Sequence, residues 1–277
     1  MTRTIFRDRI QSHLKKTDLP SDLFSYLWSM DYYEFVNSKN NDVTAEVAAL
    51  QSIWSLANQD EYLLIKLYQD LPYIPKLYGS CGGYYLLEFA PPGNILNQDF
   101  IRYSPSPWKE RAKIALQLIE LSQSVDKDFY EPLHICDVKG ENFGVDTQNV
   151  IKLIDLDTIF FNKEMLGHLS SGICSKHEDC DFFDCRGWCN ITRNRCTRMR
   201  TNNNLQSICE DILVDRAHNF YSGLLYYPPS AIKTKLSALL ERCAYPKNSK
   251  GSTVRQKSET DVYWQLYNLL KYQIQIS

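Results

Sequence analysis

The stretch HICDVKGENFGVDTQNVIKLIDLD, residues 134–157, decides how the rest of the chain is read. It sets Asp137, Lys139 and Asn142 in the spacing D-x-K-x-x-N, then runs through an apolar segment to Asp155-Leu156-Asp157. Phosphoryl transfer asks for these residue types in this order: an Asp to accept the proton of an attacking hydroxyl, a Lys to hold the transferred phosphate, and an Asn with a second Asp to hold Mg²⁺. Asp157 adds a carboxylate that either joins the metal ligands or caps the next turn. Each residue alone is weak, but the ordered string is specific.

Working outward, NFGV, a turn at Asp146–Asn149 and VIKLIDLDTIFF read as a hairpin whose second arm is one long buried strand. Upstream, IPKLYG and YYLLEF flank Gly79–Gly83 as a second hairpin, stopped by Pro91-Pro92-Gly93. Between the two, Ser106-Pro107 reads as the N-cap and first position of a long helix to Ser124, with Ala112, Ala115, Leu116 and Ile119 on one face. Val43, Val47, Leu50, Trp54 and Ala57 form the stripe of an earlier amphipathic helix, capped by Asn41 or Asp42 and running on through Glu61 to Lys66. Short helices around Phe6–Leu14 and Leu23–Phe35 precede it. Helical periodicity returns in Leu205–Ala217, Ala231–Cys243 and Val262–Tyr272.

With 277 residues, 44% of them hydrophobic, the composition is that of an ordinary globular chain forming one large domain or two small ones. Thirty-one basic against 33 acidic residues leave a net charge of -2, which gives nucleic acid or an anionic membrane no electrostatic footprint. No apolar run is long enough to span a bilayer, and the charged N-terminus lacks the apolar core of a secretion signal.

Five of the nine cysteines crowd into one stretch: Cys174, Cys180, Cys185, Cys189 and Cys196. With no C-x-x-C pair and only His177 inside the run, the spacing fits disulfides better than a tetrahedral zinc site. Disulfides in turn need an oxidising compartment. Asn190-Ile191-Thr192 is an N-glycosylation sequon, a small hint in the same direction. An odd cysteine count leaves a thiol over; Cys136, beside Asp137, is the candidate free packing residue and Cys81 the alternative. Cys209 joins the five as a disulfide candidate.

The 134–157 string resembles the catalytic and metal-binding loops of protein kinases, H-R-D-L-x-x-x-N and D-F-G. The order of elements agrees: Glu61 stands where the helix-borne Glu would precede the first hairpin, Glu88-Phe89-Ala90 takes the place of the adenine-binding hinge, and Trp108–Ser124 that of the long C-lobe helix. The departures are specific. Cys136 replaces the Arg before the catalytic Asp, Asp157 replaces the Gly of D-F-G, no A-P-E follows, and neither a Gly-rich phosphate loop nor a V-A-I-K strand precedes Glu61. Without that Lys, Glu61 reads as a solvated helix residue, and Glu88 as offering only its backbone.

With CSKHEDCDFFDCRGWCNITRNRC and NNNLQSICEDIL added, the chain is similar over roughly residues 38–215 to the divergent protein kinase domain family of type one, cysteine-rich kinase-like proteins of the endoplasmic reticulum. The resemblance implies an α+β, protein-kinase-like fold: a largely helical C-lobe, a truncated N-lobe and a disulfide-rich insertion in the activation segment. It divides the chain into an EF-hand-like insertion with an N-lobe remnant (1–58), a reduced N-lobe (59–90) and a C-lobe (91–277) holding the cysteine-rich segment 174–209.

The same resemblance implies Mg²⁺ and ATP as cofactors, with Asp137 and Lys139 catalytic, Glu61, Glu88, Ala90 and Asn142 toward the nucleotide, and Asn142, Asp155 and Asp157 toward the metal. It implies a place in the endoplasmic reticulum lumen or membrane, or in the secreted space, and a lumenal or secreted protein or a glycan as acceptor. It also implies that the first strands and any membrane anchor lie upstream of Met1. The EF-hand-like loop has Ser38, Asn40 and Asp42 at ligand positions, but Val43 where Gly is needed and Ala49 where a bidentate Glu is needed, so no calcium is expected there. The competing reading is a catalytically inactive pseudokinase that serves as a lumenal interaction module.

Overall fold

The computed structural model describes residues 43–91, 107–127, 131–214, 223–248, 250–251 and 254–276. The sequence readings at Phe6–Leu14, Leu23–Phe35, the loop Ser38–Asp42, Pro92-Gly93 and the N-cap Ser106 lie outside them. The chain forms two compact units: one holds the residues up to Phe89 together with Asp155–Asp157, the other Ala90–Ile154 together with the chain from Thr158 onward.

In the first unit the expected single helix is two, α1 (Val43–Ala57) and α2 (Asp60–Tyr68). The break falls at Gln59, whose backbone is extended (φ -106°, ψ 103°). Its side-chain amide donates to Ser55 O (3.1 Å) and Gly83 O (3.0 Å), so the residue that interrupts the helix also ties the junction to the hairpin turn. Of the predicted stripe, Ala57 is buried and Trp54 half-buried, but Val47 is exposed. The main apolar face belongs to α2, which buries Tyr62, Leu63, Leu64 and Ile65. Strands β1 (Leu77–Cys81) and β2 (Tyr84–Leu87) pair antiparallel through a Gly82-Gly83 turn, where Gly82 has φ 60°.

The second unit is built on α3 (Trp108–Lys127), whose positions 111, 112, 114, 115, 118, 119, 121, 122 and 125 are all buried. Such a wide stripe is what a helix shows when several elements cover it; here they include α5 (Asn204–Ile208), which continues as a π-helical turn over Cys209–Val214, and α7 (Thr260–Ile276). Buried Arg111 satisfies itself on the carbonyls of Leu224 (2.8 Å) and Tyr226 (2.6 Å). Helix α6 (Lys233–Ala244) packs against α7.

The long strand expected over Val150–Phe161 is two separate pieces. Strand β4 (Phe143–Val145) pairs with β5 (Ile151–Leu153), whereas β3 (Leu133–Ile135) pairs with β6 (Ile159–Phe161), both antiparallel. The polar Asp155–Thr158 turn separates β5 from β6, and apolar content alone does not register it. A helix, α4 (Asn162–Leu169), then intervenes before the cysteine-rich segment, which carries the two-residue strands β7 (Cys189–Asn190) and β8 (Arg195–Cys196).

Four disulfides close this unit: Cys136–Cys185, Cys174–Cys189, Cys180–Cys196 and Cys209–Cys243. All six predicted candidates are bridged. The expectation that Cys136 is free is overturned: it pairs with Cys185, and exposed Cys81 is the free thiol. Among the described residues, the sulfurs of Cys174, Cys180 and Cys189 lie close enough to share a metal ion, but each already belongs to a disulfide, so the zinc reading fails.

Candidate active site

Strand β3 delivers Cys136-Asp137 to a loop that ends in one 3₁₀ turn, Gly140–Asn142, before β4 begins. The side chains of the predicted triplet converge there. Lys139 Nζ lies 2.6 Å from Asp137 Oδ2, and Asn142 Nδ2 donates to the same oxygen (3.0 Å) and to the Asp137 backbone carbonyl (2.9 Å). Asn142 is buried, while the Lys139 side chain is half exposed. Both Asn142 side-chain bonds use its nitrogen, so its Oδ1 is the atom suited to a hard cation. Its backbone carbonyl accepts from Ile154 N (3.0 Å), which closes the β4–β5 hairpin directly before Asp155.

The peptide groups on either side of Asp137 are held by one residue of the cysteine-rich segment. Asp184 N donates to Cys136 O (2.7 Å), and Val138 N donates to Asp184 Oδ2 (2.6 Å). Next to this pair runs the Cys136–Cys185 disulfide. Asp184 is itself anchored, since Asn202 Nδ2 donates to its carbonyl (2.7 Å). A buried polar cluster lies behind: Arg200 donates to Asn202 Oδ1 (3.0 Å), Asn204 Oδ1 (2.9 Å) and His134 Nδ1 (2.8 Å). Burial drives the Arg200 guanidinium down to about 10. With Nδ1 accepting, His134 carries its proton on Nε2, 3.0 Å from Asn162 Oδ1, and burial followed by the charge of Arg200 pushes the imidazole down to about 4. Asn204 also bonds Ile135 N (3.0 Å) and Leu133 O (2.8 Å), fixing β3 to α5.

In the first unit, Glu61 on α2 is not a solvated helix residue. Its carboxylate accepts the phenolic hydrogen of Tyr85 on β2. Burial raises the Glu61 pKa most; the Tyr85 bond lowers it, the charges of Asp157 and Asp155 raise it, and a hydrogen bond from the Leu156 backbone lowers it. Asp155 in turn accepts from Asp157 N (3.3 Å), a local turn in which Asp157 serves through its backbone. Glu88 closes the hairpin base, its amide donating to Lys76 O (2.8 Å) and its carboxylate accepting from Lys76 N (3.2 Å).

In the second unit, buried Ala90 runs against β4. A Cβ at Gly144 would stand 1.9 Å from Ala90 O, and Val145 N donates to Pro91 O (3.2 Å). Ala90 and Pro91 are therefore seated on the strand that follows Asn142.

Compared with known proteins, residues 53–246 match the family described as the protein-kinase domain of FAM69. The chain belongs to this family. It is 26% identical over 234 residues to human Divergent protein kinase domain 2A and 28% identical over 237 residues to the protein of that name from Xenopus tropicalis. Both alignments cover 79% of this chain and 52% of the relative, so the chain spans about half the length of the relatives it matches. The fold is accordingly α+β and kinase-like, and the resemblance seen in the sequence holds at the level of divergent protein kinase domains.

Within this family fold, spacing identified Asp137, Lys139 and Asn142, which the structure brings together. It missed His134, Asp184, Arg200, Asn202 and Asn204. The run Asn202-Asn203-Asn204 was the available signal: Asn203 caps α5 by accepting from Gln206 N (2.9 Å), while its two neighbours are spent on the loop and on β3. Four disulfides point to an oxidising, secretory-type environment. No helix among the described residues is long and apolar enough to cross a membrane.

Proposed function

We propose that this domain carries the acceptor-side machinery for phosphoryl transfer from Mg²⁺·ATP to a hydroxyl, in the lumen of the secretory pathway. The observation that carries the reading is the Asp137 carboxylate held between Lys139 Nζ and Asn142 Nδ2. Fixed in this way, Asp137 is oriented to take the proton of an attacking hydroxyl, and Lys139 needs only a rotamer change to exchange the carboxylate for a phosphate oxygen. The oxygen donors that would hold Mg²⁺, Asn142 and Asp155, stand in the chain just before and just after the β4–β5 hairpin; hard oxygens suit that ion. Bound there, Mg²⁺ would offset phosphate charge. Asp157 enters through its backbone, and Ala90 through the hinge backbone.

A second reading is favoured by Glu61. Its carboxylate is engaged by Tyr85, and the described residues contain neither a Gly-rich phosphate loop nor a Lys paired with it. Positioning the nucleotide is most of what such an enzyme contributes. For this chain taken alone, slow turnover or a pure binding module is the expectation, with a lumenal or secreted protein or a glycan as partner. Asn190, at the base of the exposed β7–β8 turn, is the glycosylation site of this reading.

Thermal shift of the oxidised chain with ATP, with Mg²⁺ and with both, beside Asp155→Ala, tests the first reading. Stabilisation that needs both ligands and vanishes in the variant supports it. Absence of any shift in folded protein rejects it in favour of the binding module.

A further inference from the structure

One residue of the disulfide-rich segment grips the backbone on both sides of Asp137. Through its own amide Asp184 reaches Cys136 O (2.7 Å), and through its carboxylate it reaches Val138 N (2.6 Å). Both peptide planes that flank Asp137 are thus tied to one residue, which restrains the φ and ψ of Asp137 between them and so fixes the direction of its side chain. The second of these bonds is charge-assisted and buried, so it is the stronger kind.

The grip is built at a conformational cost. Phe182–Cys185 is a tight turn in which Cys185 N donates to Phe182 O (3.0 Å), and its first central residue, Phe183, has φ 50°. An L-residue with a Cβ is sterically disfavoured in that region. The Phe183 ring recovers little of it, being 62% exposed. What the turn achieves is the placement of Asp184 and Cys185, whose sulfur bonds that of Cys136, the residue before Asp137.

We propose that Asp184 is a positioning residue for Asp137, and that the Cys136–Cys185 bridge makes this coupling covalent, so that the disulfide-rich segment holds the catalytic loop in one conformation. The inference rests on the phosphoryl-transfer reading for the role of Asp137. The positioning itself has a readout that does not depend on turnover.

Site-resolved hydrogen exchange on the whole oxidised chain supplies that readout. Asp184→Ala speeds exchange of the Val138 amide by about tenfold or more while α3 and α7 keep their protection. Asp184→Asn, isosteric and still offering a carbonyl oxygen to Val138 N, gives an intermediate rate. The pair Cys136→Ser with Cys185→Ser, which leaves three disulfides, likewise speeds exchange over residues 135–139. Where the unaltered chain transfers phosphate, Asp184→Ala lowers kcat by about tenfold with KM for ATP unchanged within about twofold, and Asp184→Asn recovers part of it. If the unaltered chain transfers none, the transfer reading falls and the exchange rates alone judge Asp184. Unchanged Val138 exchange in Asp184→Ala overturns the proposal, as does a loss of protection spread evenly through the unit.

Discussion

Tyr85 on β2 donates its hydroxyl hydrogen to Glu61 on α2. Tyr62, the residue after Glu61, also meets Tyr85 ring to ring, with centroids 5.3 Å apart. This pairing occupies the carboxylate for which the kinase plan provides a Lys, and it makes Glu61 part of the first unit's own structure.

A pH-dependent prediction follows from that environment. Burial is the largest effect on Glu61 and raises its pKa above 4.5, and Asp157 and Asp155 add to the rise. A carboxyl whose folded pKa is raised stabilises the fold when protonated, and that contribution is lost as pH climbs from the unfolded value through the folded one. Glu61→Gln, which keeps an acceptor for Tyr85, should therefore match the unaltered chain in Tm near pH 4 and exceed it at pH 7. Tyr85→Phe removes a bond that lowers the pKa, so the Glu61 carboxyl should titrate still higher by NMR. A Glu61→Gln chain less stable than the parent at pH 7 would refute this account.

The cysteines give a chemical prediction. Unreduced protein treated with iodoacetamide should be labelled at Cys81 alone, in folded and in denatured samples, because every other cysteine is bridged. The bridges also differ in worth. Cys136–Cys185 spans 49 residues and Cys174–Cys189 spans 15. In the chain-entropy picture these separations correspond to about 4 and about 3 kcal/mol. Replacing the first pair by serines should thus lower denaturant stability by about 1 kcal/mol more than replacing the second.

Gly144 tests the seating of Ala90 on β4. A Cβ there meets the Ala90 carbonyl oxygen at 1.9 Å and its carbon at 2.6 Å, both backbone atoms that cannot swing aside. Gly144→Ala should destabilise by about 2–3 kcal/mol through this clash, read as a lower denaturation midpoint. Gly79, with nothing within 4 Å of its added Cβ, is the control at which the same substitution should do far less.

What could be read from the sequence, and what could not, divides along chain separation. Asp137, Lys139 and Asn142 lie within six residues, and their chemistry is written in their spacing. Helix α3 was legible because its apolar positions repeat along one element. The break between β5 and β6 was not, because Leu156 and Ile159 keep the run apolar across a turn made by Asp155 and Asp157. The hold on Asp137 was further out of reach: Val138 and Asp184 are 46 residues apart, and nine cysteines admit many pairings when spacing is the only guide. Cys136 looked like a packing residue because burial and bridging leave the same apolar neighbourhood in sequence.

His134 supplies the last test, at the strand that delivers Asp137. Burial and then the charge of Arg200 hold its pKa at about 4, below the ordinary 6.5. Arg200, which donates to Nδ1, and the Lys257 charge oppose protonation, and the bond from Nε2–H to Asn162 Oδ1, which favours the charged ring, offsets only part of this. A histidine with a depressed folded pKa gives stability that is fully present above the unfolded value and is lost as pH falls through the window down to the folded one. The chain should therefore lose stability between about pH 6.5 and about pH 4 for a reason that His134→Gln removes in part, since Gln cannot take up a proton in the unfolded state. Denaturant midpoints of both chains at pH 7.5, 6, 5 and 4.5 decide it. The difference between parent and variant should shrink steadily as pH drops, because only the parent is penalised, and a difference independent of pH would mean that folding leaves the His134 pKa at its ordinary value.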